Sequence, residues 1–202
     1  MLNRREFMTV ALAALPAPAI WAVSDAAPGL ATDPSVLYTV VYDDRFHESI
    51  TFAGQARRLG YRTRAISGDT TDLWYNDLYH RWKKGPAPIA GLTTPEAAMC
   101  LKLFGADAGL RCVFETQHRF REGQSVVEHS IRASSECSSL TALQESGDRW
   151  PEHMLRLMRT CRIGPARQRC SAVSKLSRER TDGDARLVSW LLAPIQRNRV
   201  WS

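Results

Sequence analysis

Between residues 36 and 110, short runs of β-branched and aromatic residues alternate three times with stretches of helical period. "VLYTVVYDD" (36–44) is apolar until it ends in two aspartates, the composition of a strand buried on both faces. Ser49, Phe52, Ala53, Ala56 and Leu59 then recur at helical spacing, and Gly60 stops them. "YRTRAIS" (61–67) is a second, more polar strand closed by Gly68-Asp69. Trp74, Leu78 and Trp82 lie four apart on one face of the next helix, with Asp72 at its positive end and Lys83 and Lys84 at the other. "APIAGLT" (87–93) is a third strand. Thr94, Pro95 and Glu96 open a helix whose face runs Ala97, Leu101, Phe104, Ala108.

"LRCVFETQHRF" (110–120) reads as a fourth strand that turns through "REGQ" into "SVVEHSIRA" (125–133), a hairpin rather than another crossover. Residues 150–161 form a helix in which Trp150, Met154, Leu157, Met158 and Cys161 share one stripe and Arg156 and Arg159 turn away. Residues 163–185 read as loop or loose helix, and "RLVSWLLAP" (186–194) as a last strand added to the sheet in preference to a short helix. The alternation predicts a single α/β domain of three layers. It would be doubly wound in the flavodoxin or Rossmann manner, with a mostly parallel sheet and an added β-hairpin. It would occupy residues 36–202, with 27–35, rich in small residues and proline, as a flexible lead-in.

Residues 1–26 read as an export signal: paired Arg4 and Arg5, a short apolar run before Pro16, and small residues that place the cut after Ala22 or Ala26, with Ala19 as a third option. The apolar run falls far below the roughly 20 residues that cross a bilayer. Arg4-Arg5-x-Phe7-Met8 resembles the twin-arginine (Tat) signal, with Asn3 where Ser or Thr is usual. The resemblance implies the Tat translocase as a partner, folding before transport and a periplasmic destination. It also implies a cargo that often carries a cofactor, although the residues do not say which. The whole resembles exported bacterial proteins, a likeness that brings no activity with it. No later stretch is long and apolar enough for a stable membrane span.

Charge is uneven. Residues 23–110 hold 9 basic and 10 acidic side chains, whereas residues 111–202 hold 16 basic and 10 acidic. The densest run, Arg156 to Arg180, suits an acidic partner, a phosphate or an anionic lipid surface, or is a solvated face. Nucleic acid fits poorly, because no nucleic-acid-binding motif accompanies the charge. The five cysteines form no C-x-x-C pair. Cys100 and Cys112 sit among apolar residues as core fillers, and Cys161 with Cys170 is a candidate disulfide.

In a doubly wound sheet, ligands bind beyond the carboxyl ends of the strands. That rule selects Asp43, Asp44, Asp69, Thr71, Thr93 and Thr94 as candidate ligand-binding residues. Asp43, Asp44 and Asp69 form a candidate site for a hard cation, and Thr93-Thr94 at a helix start forms one for an anion. Glu115, His118, Glu128 and His129 meet across the hairpin, but residues three apart in a strand face opposite ways, so they converge on one ion only through a bulge. Residues 40–61, "VVYDDRFHESITFAGQARRLGY", resemble the opening of a bacterial receiver domain, whose acids after the first strand hold magnesium. Where such a domain carries its phosphorylated aspartate, this chain has Gly91-Leu92-Thr93-Thr94. The likeness therefore implies fold and not phosphotransfer. Three functions follow as expectations. One is a ligand-binding or accessory subunit of another exported protein or complex, a redox one included, with an anionic small molecule as the alternative ligand. The second is a metal-assisted hydrolase built on Asp43, Asp44 and Asp69. The third is a redox protein with a bound organic cofactor.

Overall fold

The computed structural model describes residues 37–133, 140–160 and 168–194. The chain begins with β1 (Thr39–Asp43), α1 (His47–Arg58) and β2 (Thr63–Ile66). One continuous helix follows. It is made of α2 (Thr71–Leu73), a π-helical turn over Trp74–Leu78 and α3 (Tyr79–Lys83). Next come β3 (Ile89–Thr93), α4 (Pro95–Asp107), β4 (Leu110–Phe120) and β5 (Val126–Ala133). The later elements are α5 (Leu140–Gln144), α6 (Trp150–Thr160), β6 (Gln168–Lys175) and β7 (Ala185–Pro194).

All seven strands share one sheet in the order β2-β1-β3-β7-β4-β5-β6. Only β1–β2 and β1–β3 pair parallel, and the other four pairings are antiparallel. The mostly parallel flavodoxin or Rossmann sheet expected from the alternation is therefore not what forms. The reason is β7. It lies antiparallel between β3 and β4, pairing Gly91 with Trp190 on one side and Thr116 with Ser189 on the other. β4 still runs in the direction of β3, as a strand–helix–strand unit requires, but the two strands never share hydrogen bonds. The hairpin of β4 and β5 forms as expected, and β6 extends it from within the segment read as loop.

Apolar side chains divide between the two faces. Phe52 and Ala56 of α1, Leu143 of α5 and Trp150, Met154 and Met158 of α6 pack on one face, over Val40, Phe114, Val127, Ile131 and Leu187. Leu73, Leu78 and Trp82 pack on the other with Ala97 and Leu101 of α4, over Val41, Ile89, Val188 and Trp190. Gly91 is required here: a Cβ on it would stand 2.5 Å from the Trp190 ring and 2.7 Å from the Val41 carbonyl. The π-turn sets Asp77, otherwise a surface residue, inward, where its carboxylate accepts from Arg62 at 2.8 Å and from Tyr38. This second helical layer covers β2, β1, β3 and most of β7, and α4 also reaches β4, where Lys102 meets Glu115 at 3.0 Å. Past Glu115, the same face of β4, β5 and β6, with Arg186 near the start of β7, carries no helix among the described residues, and Pro95 of α4 borders it.

Candidate functional site

The carboxyl ends of β1, β2 and β3 meet at one edge, as expected, and every candidate residue there has an internal partner. Asp43 is fully buried, and the Arg45 guanidinium grips it twice, Nε to Oδ1 at 2.9 Å and Nη2 to Oδ2 at 2.8 Å. That grip raises the Arg45 pKa. Gly68, at φ +85°, leaves the space the guanidinium fills: a Cβ there would lie 2.5 Å from Nη2. Asp44 accepts from the Ser67 hydroxyl at 2.8 Å. Asp69 accepts from the Thr71 hydroxyl at 2.7 Å and its amide at 2.8 Å, which holds the carboxyl below its ordinary range. Thr93 is buried and accepts the Trp190 indole N–H at 3.0 Å. Thr94 caps α4 by accepting from the Ala97 amide. The three aspartates thus have their oxygens turned to different partners. Among the described residues no three His, Cys, Asp or Glu side chains group to hold a metal ion.

Two hollows lie elsewhere. A cleft of about 620 Å³ opens where the β6–β7 loop meets the start of α1. His47, Glu48, Asp148, Arg178 and Arg180 line it. Arg180 lies over the Phe120 ring at 4.9 Å and reaches Glu48 at 3.4 Å. The Ser177 side chain and its amide, the latter at 3.0 Å, hold the Asp148 carboxyl below its ordinary range. None of the six candidate residues borders this cleft, and its charges are of both signs.

The second hollow, about 560 Å³, lies on the bare face of β7, β4, β5 and β6. Strand pleating sends alternate side chains to opposite faces. Thr116, His118, Phe120, Val127, His129 and Ile131 are buried on the helix-covered side, while Gln117, Arg119, Ser130, Arg132, Arg169, Ser171, Lys175 and Arg186 are exposed on the other. Arg119 stands directly opposite Arg186 in the ladder, and Arg132 opposite Arg169. None of these four arginines has an ion pair among the described residues. The neighbouring acids serve other cations: Glu128 is 3.5 Å from Arg121, and Glu115 is 3.0 Å from Lys102. Like charges placed directly across a ladder destabilise it and opposite charges stabilise it; on their other side Arg119 stands across from Glu128 and Arg132 across from Glu115, so the like-charge pairings are offset only in part.

Behind it, the hairpin histidines answer to each other and not to a metal. His118 and His129 are register partners, Nδ1 to Nδ1 at 2.7 Å, under Trp150. Ser174 donates to the Leu143 carbonyl at 2.7 Å, so its oxygen accepts from Nε2–H of His129 at 3.0 Å. His129 Nδ1 then accepts from His118, whose Nε2 accepts from Ser189 at 2.9 Å. With both rings neutral, every ring nitrogen and hydroxyl in this Ser189–His118–His129–Ser174 relay has a partner. Glu115 and Glu128 project to the opposite face. The expected core positions of Cys100 and Cys112 do not hold, since both are free and exposed. Cys170 is disulfide-bonded, and its candidate partner Cys161 lies outside the described residues. Arg4, Arg5 and Phe7, the residues of the expected export signal, lie outside them as well.

The sequence pointed to the strand edge and missed the bare face. The signal was there in the second half's arginine excess, but only the ladder register shows which arginines share a side. No described helix is long and apolar enough to cross a membrane. Compared with family models, curated proteins and solved structures, the chain matches none, and its functional reading rests on this geometry.

Proposed function

We propose that this chain is an exported accessory protein that docks on another protein through the bare face of β7, β4, β5 and β6. The observation that carries the reading is the pair of cross-strand arginine matches on a face without a covering helix, Arg119 with Arg186 and Arg132 with Arg169. The twin-arginine stretch at Arg4 and Arg5 supports export to the periplasm through the Tat translocase. The hydrolase reading loses support from the Arg45 fork on Asp43, which takes both carboxylate oxygens.

The test is the size of the native particle in the exported fraction of the host, measured by gel filtration before any affinity step. The chain should elute in a complex larger than its own 22.7 kDa mass. A photo-crosslinking residue at Ser130, on the bare face, should join it to the partner, and one at Met99, on the exposed side of α4, should not. Elution as a lone monomer with no crosslink from Ser130 sinks the proposal.

A further inference from the structure

Resting on that docking reading, we infer that the partner presents a carboxylate-rich protein surface to the bare face. Its acids would lie in two clusters, one between Arg119 and Arg186 and the other between Arg132 and Arg169. The spacing follows from the ladder. Glu128 faces Arg119, and Arg132 lies four residues further along β5, so the two arginine pairs are about 13 Å apart along the strands and about 10 Å apart across them. The partner's acid clusters should therefore be roughly 16 Å apart.

Carboxylates are the matching chemistry. A guanidinium presents a planar fork that a carboxylate fills with two hydrogen bonds, and two guanidiniums side by side leave room for one or two acids between them. A second copy of this chain would bring the same sign of charge face to face and be repelled. Single-stranded nucleic acid bound on a sheet is held by stacking of bases on exposed aromatic rings. The exposed side chains of this face are Arg, Gln, Ser, Lys and Val, with the half-exposed carboxylate of Glu128 held by Arg121, and without an aromatic among the described residues. A bilayer surface is flat on this scale, whereas the face is hollowed.

The experiment titrates the full mature chain with three labelled probes at low salt: poly-L-glutamate, a thymidine oligonucleotide, and vesicles of phosphatidylglycerol. Wild type should bind poly-L-glutamate tightest. Arg119→Gln with Arg186→Gln should weaken that binding about tenfold. The charge-matched control Lys83→Gln with Lys84→Gln, on α3 and just past its end, should change it less than about twofold. Equal loss in the control, or tighter binding of oligonucleotide or vesicle, overturns the inference. The native complex separates this failure from that of the docking reading. A complex that survives the Arg119/Arg186 variant and about 1 M salt, where charges are screened within about 3 Å, overturns the acidic partner and leaves docking standing. A complex that dissociates under both supports the inference. A dimer of this chain alone in sedimentation overturns it.

Discussion

The imidazoles of His118 and His129 face each other Nδ1 to Nδ1 at 2.7 Å in the covered half of the sheet, each 1% exposed. A proton added to either ring breaks the directional chain that runs from Ser189 to the Leu143 carbonyl. Burial holds His129 down to about 3 and His118 well below its ordinary value of 6.5, the neighbouring ring adding to the effect on His118.

The sign of the pH dependence follows. The unfolded chain takes up these protons near 6.5 and the folded chain does not, so stability is full above about pH 6.5 and falls as the pH drops toward 3. The slope is about 1.4 kcal/mol per histidine per pH unit. Urea titrations between pH 7.5 and 5 read it. His129→Leu should cost about 1–3 kcal/mol at neutral pH, by orphaning His118 and Ser174, and should halve the slope. His153 shifts in the same direction through partial burial and nearby arginines, so the variant assigns the slope to the pair. An unaltered profile in the variant contradicts it.

Arg119 and Arg186 give a prediction of the opposite kind. If their apposition serves a partner, removing one charge should raise the stability of the isolated chain by a few tenths of a kcal/mol while it weakens the complex. Thermal melts of Arg186→Gln against wild type, run beside the binding titration, test both halves. A variant that loses stability and keeps binding would show that the arginines serve the fold.

The fork on Asp43 is structural in this reading. Asp43→Asn should destabilise the chain by about 1–3 kcal/mol by weakening a charge-assisted pair at a buried carboxylate. Gly68→Ala should do so by about 1–2 kcal/mol, through the left-handed backbone and the displaced guanidinium. Neither should alter metal content measured by elemental analysis. Metal present in wild type and lost from Asp43→Asn would revive the hydrolase.

Export is checked most simply at its signal. Arg4→Lys with Arg5→Lys should leave the uncut precursor in the cytoplasm, seen by fractionation and immunoblot. Processing at the normal rate in that variant would mean another route.

Much of this architecture was legible in the chain. The strand–helix alternation located β1 to β3 and their helices, because buried β-branched runs and four-residue apolar spacing leave a strong imprint. β6 left none. Its buried positions are Ala172 and Ser174, small or polar because Ser174 binds His129, so a real strand looked like polar loop. The order of the sheet was out of reach for a different reason. The continuous apolar run at 186–194 fits a buried strand or a short helix, and nothing local says which two strands it will separate. The strand-edge rule gathered its residues correctly in space, but the rule does not distinguish a ligand's partner from an arginine's.

The position of β7 has a consequence for biogenesis. The latest of the seven strands to leave the ribosome is the one that joins β3 to β4, so until it arrives the nascent chain holds two separate half-sheets with unpaired inner edges. Such edges are templates for mispairing. A chain built this way closes its sheet only once residues 185–194 have been made, whatever its earlier strands have formed by then.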